Sequence, residues 1–364
     1  MAASSSSIAE NSQFSYVNVD TERLAVETLL NMSRADYENS AFYYEEAEIL
    51  NNTPEFTDKA TQVVSGDLKL PYIIEIEKLT DRQLNCLTGL PSLAFFNELA
   101  EAVSSELKFS NKHKLPIKER LVLVFMKIKL NLSFSCLGIF FGCSVSNTSK
   151  IFSSLVPILA SLFEDLVEFP TKEDILATLP KCCKHFPKTR IVLDCTEICV
   201  QKQKCLNERI LTYSQYKSAH TLKYLIGIAP SGLITFVSKG YGGRASDKHI
   251  FEQTRLIEML EPHSDAIMTN KGFYIEETCS KNFIELIKPP YLKQKSQFTQ
   301  SEAVLCRKIA RARVHVERSI GRLKTFMILK SVIPYHLLNL MDQTMVIIAG
   351  VTNSSPSILG DDKF

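Results

Sequence analysis

The chain has 364 residues, 45% of them hydrophobic and 23% charged, which is enough to build a sizeable core and two or three domains and is too hydrophobic for a wholly disordered protein. The small net charge of +2 hides a strong polarity. Residues 1–64 hold eleven acidic and three basic side chains, whereas residues 285–330 hold eleven basic and three acidic ones. An acidic arm on a basic body points to a body that meets a polyanion.

The first ten residues, MAASSSSIAE, lack the basic and apolar regions of a secretory signal. The most apolar runs, near 121–129, 136–145 and 346–351, are shorter than the roughly 20 residues needed to cross a bilayer. The ten cysteines show no C-x₂-C zinc spacing, and without a signal sequence they are expected to be free, mostly buried thiols. Cys182, Cys183 and His185 form only a weak candidate for part of a metal site. The compartment expected is nuclear or cytosolic.

In chain order, residues 1–74 read as a disordered acidic arm, with a short helix near 22–32 and an acidic-aromatic segment at 41–48 (AFYYEEAE) suited to docking a protein partner. Residues 75–185 read as a helical region. Two short helices are expected on either side of Gly89 and Pro91. Ile117–Leu130 follows Pro116, a residue tolerated in a first helical turn, as a strongly apolar helix. A short helix ends at Gly142, and a longer one capped by Ser144 or Ser146 begins next, with Pro157 expected to kink it. Helix, short helix, glycine turn and longer helix is the layout of a helix-turn-helix over about 115–165. The start of its third helix offers Ser146, Asn147, Thr148 and Lys150 to DNA, although a plain three-helix packing unit has the same pattern.

From residue 189 the periodicity changes. Arg190–Val200, Leu222–Ala229 and Leu233–Lys239 are β-rich, the last two joined by the tight-turn signal Pro230-Ser231-Gly232. Ser246 or Asp247 is expected to cap a helix running through DKHIFEQTRLIEML. Strands at Asp265–Thr269 and Glu285–Lys288, a long helix over 299–326 and a last helix over 335–350 complete the chain. Three strands, helix, strand, helix, strand and helix is the order of an RNase H-like α/β domain, here 189–355.

In such a domain the first strand, the end of the fourth and a late helix meet at one edge. Carboxylates there suit Mg²⁺ or Mn²⁺, hard ions that prefer oxygen ligands, and two such ions can clamp the attacking and leaving oxygens of a phosphodiester. Asp194 lies in an otherwise apolar strand, a costly place without a partner. Glu197, three residues on, points to the other face. In RARVHVERSIGRLK (311–324), helical spacing gathers Leu305, Ile309, Ala312, Val316, Ile320, Leu323 and Met327 into one stripe. Arg307, Arg311, Arg318 and Arg322 fall opposite, and Glu317 projects sideways beside Gly321. The plain alternative is a surface glutamate in a salt-bridged helix.

The segments DCTEI (194–198), SQYKSAHTLKYLIGIAPSG (214–232), ITFVSKGYGGRASDKHI (234–250), MTNKGF (268–273) and RVHVERSIGRLK (313–324) together resemble the DDE superfamily endonuclease domain of PIF/Harbinger-type transposases. The region 110–165 resembles the helix-turn-helix that precedes it. The resemblance implies Asp194 and Glu317 as catalytic, metal-holding carboxylates. It places the second catalytic Asp in a segment usually reading Ala-Asp-Arg-Gly-Phe, which here is Thr269-Asn270-Lys271-Gly272-Phe273. Asn270 keeps a carbonyl oxygen and loses the charge, so weakened ion affinity and impaired cleavage are expected. Asp265 is too distant to compensate, and Asp247 is a further candidate ligand, with helix capping its plainer role. Arg311, Arg318, Arg322 and Lys324, with Ser146, Asn147 and Lys150, are the expected DNA contacts. The readings in competition are an active nuclease or transposase tolerating Asn270, a transposase-derived DNA-binding protein that does not cut, and an interaction module working through its acidic arm.

Overall fold

The computed structural model describes residues 75–107, 115–292 and 295–356. The acidic arm, the helix near 22–32 and the segment 41–48 lie outside the described residues.

Helix α1 (Asp81–Thr88) starts on a capping box in which Thr80 and Gln83 satisfy each other's backbone N–H groups. It stops at Gly89, whose φ of 80° is a left-handed conformation that side chains resist. α2 (Leu93–Glu106) begins on Ser92, which accepts from the Phe95 N–H. α3 (Ile117–Leu130) follows Pro116, and Leu121 to Ile128 are all buried. Even Lys127 is buried, its ammonium donating to Asn131 Oδ1 and the Leu132 carbonyl, both at 2.9 Å. α4 (Phe134–Phe140) and α5 (Val145–Glu164) complete the tri-helical unit. Ser144, not Ser146, is the cap of α5, and the helix continues through Pro157 as one element. α6 (Lys172–Ala177) and a single 3₁₀ turn, Lys181–Cys183, lead to the sheet.

Strand β1 (Thr189–Cys199) is central. After it come α7 (Leu206–Thr212) and β2 (Tyr213–Ser214), then β3 (Ala219–Ile228), β4 (Ile234–Val237), β5 (Tyr241–Gly242) and α8 (Asp247–Gln253). β6 (Ala266–Met268), α9 (Glu276–Lys281), β7 (Glu285–Ile287), α10 (Gln300–Leu323), α11 (Met327–Lys330) and α12 (Met341–Ser354) close the chain. The strands run β2-β3-β1-β6-β7, with β4 and β5 also paired to β3. β1, β3 and β4 are antiparallel and β1, β6 and β7 parallel, an RNase H-like arrangement.

Three details depart from the sequence reading. The helix expected through Leu260 ends at Gln253, because Arg255 takes a left-handed φ of 52° and a separate 3₁₀ turn, Leu256–Met259, follows. The last helix starts at Met341, after a 3₁₀ stretch over Tyr335–Leu340. α7, β2 and β5 were not anticipated; α7 buries no residue, so it carries no apolar stripe to reveal it.

The sheet has two apolar faces. Ile191, Leu193 and Leu225 meet Ile250, Phe251 and Phe273 on one side. On the other, Val192 and Ile226 share a continuous buried cluster with Val316 and Ile320 of α10, Ile348 of α12 and the helical region through Phe152 and Phe163. Gly350 of α12 lies against α5 so closely that a Cβ there would sit 2.4 Å from Phe163 Cδ1. The helix-turn-helix is thereby fixed to the sheet by shared core. Among the described residues no helix is long and apolar enough to cross a membrane.

Candidate functional site

The parallel register of β1 and β6 sets Thr189 beside Ala266 and Val192 beside Met268. Two residues beyond that last pair, past the end of β6, Asp194 and Asn270 come together. The two side chains meet: Asn270 Nδ2 donates to Asp194 Oδ1 at 3.2 Å. The orientation of the amide follows from its other neighbour. The Gly272 backbone N–H donates to Asn270 Oδ1 at 2.8 Å, so the oxygen is committed there and the NH₂ faces the carboxylate.

Asp194 is half-buried on the sheet face that packs against α10, and its Oδ1 also accepts from the Cys195 N–H at 3.0 Å. Burial pushes its pKa up to about 6, with Glu317 and Asp247 adding to the rise and Arg313 opposing it. α10 supplies both of its helical neighbours. Ile309, Ala312, Val316, Ile320 and Leu323 form the expected buried stripe, joined by His315 and Ser319; Leu305 and Met327 are exposed instead, because the helix projects beyond the core at its start and ends before 327. Ser319 Oγ anchors the helix to the β3–β4 turn through the Gly232 carbonyl at 2.6 Å. Glu317 projects from the edge of this stripe, exposed, and an added Cβ at Gly321 would meet nothing within 4 Å. Its partner is Arg313, one turn back, with Nη2 3.6 Å from Glu317 Oε1. The Arg313 side chain is only 15% exposed, and its Nε is buried with no hydrogen-bond partner. A guanidinium therefore stands within the field of Asp194 and in contact with Glu317.

Asp247 lies on the opposite face. Ser246 is the cap of α8, accepting from the His249 N–H at 3.1 Å, and Asp247 is the first helical residue. Its carboxylate is 3.2 Å from Lys223 Nζ, which also lies 3.4 Å from Glu197 Oε1 and donates to the Ala245 carbonyl at 3.0 Å. Thr221 donates to the other Glu197 oxygen at 2.8 Å. Burial lowers the Lys223 pKa, and Asp247 and Glu197 outweigh it, for a net rise. Asp247 reaches Asp194 only as a field. Asp265 is buried at the far end of the sheet edge, with Arg190 Nε at 3.4 Å and Lys172 Nζ at 3.3 Å.

The donor set does not fit a pair of divalent ions. Asn270 turns N–H groups toward Asp194 and spends its oxygen on the backbone, Glu317 is turned to an arginine, and Asp247 is held by a lysine. Among the described residues no group of three or more His, Cys, Asp or Glu is placed to hold a metal, and Cys182, Cys183 and His185 form none either. All ten cysteines are free thiols, but only Cys183 and Cys279 are buried, against the expectation that most would be.

Of the expected DNA contacts, Ser146 and Lys150 are exposed at the start of α5 and Asn147 is half-buried. Thr148 is fully buried, its hydroxyl donating to the Ser144 carbonyl at 2.9 Å, so it is a packing residue and not a contact. Arg311 and Lys324 are exposed; Arg318 and Arg322 are half-buried, and burial lowers the Arg322 pKa. Sequence reasoning gave Arg313 no role at the site. Its signal was the i,i+4 spacing to Glu317, which is a common helix-surface pattern.

The fold is an RNase H-like sheet with an acidic residue, Asp194, on the central strand and another, Glu317, on a late helix. More specifically, residues 193–353 match the DDE superfamily endonuclease family and residues 113–165 match the helix-turn-helix of DDE superfamily endonuclease. The chain carries a DDE-superfamily endonuclease domain preceded by its characteristic helix-turn-helix, consistent with a PIF/Harbinger-type transposase-derived protein. Membership of this superfamily implies divalent-metal chemistry. No curated protein matches the chain.

Proposed function

We propose that this is a transposase-derived nuclear protein that binds DNA and has lost efficient phosphodiester cleavage. The observation that carries the reading is the Asn270 side chain, whose amide joins Asp194 to the Gly272 backbone. A carboxylate at 270 would stand close to Asp194 and would need a cation between them. The amide supplies an N–H donor in that place, and Arg313 supplies positive charge beside Glu317. Asp194, half-buried and pushed up to about 6, then rests against donors belonging to the chain itself. The helix-turn-helix match, with Ser146 and Lys150 exposed at the start of its third helix, supports DNA as the partner.

The test is a cleavage assay on duplex and nicked DNA with Mg²⁺ and with Mn²⁺. The wild-type protein is expected to leave the DNA intact, and Asn270→Asp to restore measurable cutting that Glu317→Gln removes. Robust wild-type cleavage abolished by Glu317→Gln would overturn the reading and establish a nuclease that tolerates the amide.

A further inference from the structure

Two adjacent cysteines sit on the 3₁₀ turn Lys181–Cys183 that leads from the helical region to β1. Their environments differ. Cys182 is half-buried and lines a cavity of about 660 Å³ between this turn and α10, within the roughly 300–1,000 Å³ range of small-molecule pockets. Its Sγ lies 3.3 Å from His315 Nε2 and 3.8 Å from Cys183 Sγ. Cys183 is buried, 4.0 Å from the Ala312 carbonyl, and burial pushes its thiol far up, with Cys182 adding to the rise. Burial and then Arg318 hold His315 below the usual imidazole range, so its ring is neutral and able to accept a proton. One thiol is therefore open to a reagent with an imidazole in reach of its proton, and the other is held protonated. Arg307, Lys308 and Arg311 line the same cavity from α10, and Val304 and Val314 add apolar wall.

We propose that Cys182 is a thiol-modification site for small anionic peptide disulfides, the class of oxidised glutathione. Cys182 Sγ attacks one sulfur of the reagent; a new S–S bond forms, the reagent's own S–S bond breaks, and its other half leaves as a thiolate. The Cys182 proton passes to His315 Nε2 and from there to the departing thiolate, so the exchange balances with the disulfide as the sole oxidant. Arg307, Lys308 and Arg311 draw the reagent's carboxylates into the cavity and hold the adduct there. Cys183, being protonated, does not attack the new bond, so the adduct persists in preference to a Cys182–Cys183 disulfide. This thiol chemistry does not depend on DNA binding.

The experiment treats the full chain with oxidised glutathione and, separately, with the neutral hydroxyethyl disulfide. Peptide mass mapping with fragmentation, which separates Cys182 from Cys183, follows each cysteine over time. Cys182 should react with oxidised glutathione ahead of Cys86 and Cys205, although those two are exposed and Cys182 is half-buried. The R307S/R311S variant should slow Cys182 with oxidised glutathione by about tenfold and leave its reaction with hydroxyethyl disulfide unchanged. Both arginines are exposed, so folding is expected to survive, and circular dichroism checks it. His315→Gln should slow Cys182 with both reagents alike; if that variant fails to fold, the order of reaction and the arginine variant still decide. Cys183→Ser should leave the Cys182 adduct in place. Reaction of Cys86 or Cys205 ahead of Cys182 overturns the site. An R307S/R311S rate equal to wild type overturns the recognition of an anionic reagent, and a Cys182–Cys183 disulfide as the main product overturns the adduct.

Discussion

Replacing Asp194 with Asn should stabilise the protein, and by an amount that depends on pH. The ordinary carboxyl ionises near 3.8, and in the fold burial holds Asp194 up to about 6. Between those values the folded chain binds the proton more tightly than the unfolded chain, so this group's contribution to stability is present below about pH 3.8 and lost as pH rises through 6. Each unit is worth 1.36 kcal/mol, which makes the full penalty of ionised Asp194 about 3 kcal/mol above pH 7 and about 1 kcal/mol at pH 4.5. An asparagine oxygen can keep both hydrogen bonds that Asp194 Oδ1 accepts, from Cys195 N–H and Asn270 Nδ2. The attraction to Arg313 that the variant gives up is already contained in the shifted value. Urea unfolding of wild type and Asp194→Asn in the presence of a chelator, at pH 4.5 and pH 8, measures the difference. The variant should gain more at pH 8. A difference that does not change with pH, or a variant less stable than wild type at pH 8, would refute the desolvation argument.

Other expectations follow from packing and caps. Gly350→Ala forces a Cβ into Phe163 at the joint between α5 and α12, and should cost about 2 kcal/mol in thermal or urea unfolding. Ser144→Ala removes the acceptor for the Asn147 N–H and should cost about 1 kcal/mol, with weaker DNA binding if α5 is the recognition helix. Glu302 is held down to about 2 by Lys295 first and by the Thr299 cap, so its contribution is complete above about pH 4.5 and is lost as pH falls toward 2; helix content followed by circular dichroism should show Glu302→Gln less sensitive to that titration.

Much of the architecture could be read from residue types because period and punctuation agreed. Pro116, Gly89 and Pro230-Ser231-Gly232 marked boundaries that the fold respects, and the β-rich run at 190–200 is the central strand. What escaped was set by contacts distant in sequence. Arg255 and the end of α8 depend on a backbone turn with no glycine to announce it. Thr148 looked like a surface contact because polar side chains at a helix start usually are, yet its hydroxyl is satisfied inside its own first turn and the residue is buried. The identity of Asn270 was plain in the sequence, but its effect was not: that required knowing that Gly272 takes its oxygen and so turns the nitrogen to Asp194. Arg313 similarly became part of the site only when its burial and its place beside Asp194 were visible.

The central claim is that the chain's own amide and guanidinium have taken the place of ions at the old catalytic edge. Titration calorimetry of Mn²⁺ into the wild-type protein and into Asn270→Asp, each repeated with Glu317→Gln, addresses it without relying on cleavage. The account predicts no saturable Mn²⁺ binding to wild type and binding to Asn270→Asp that Glu317→Gln weakens at least tenfold. Stoichiometric, Glu317-dependent binding of Mn²⁺ by the wild-type protein would contradict it.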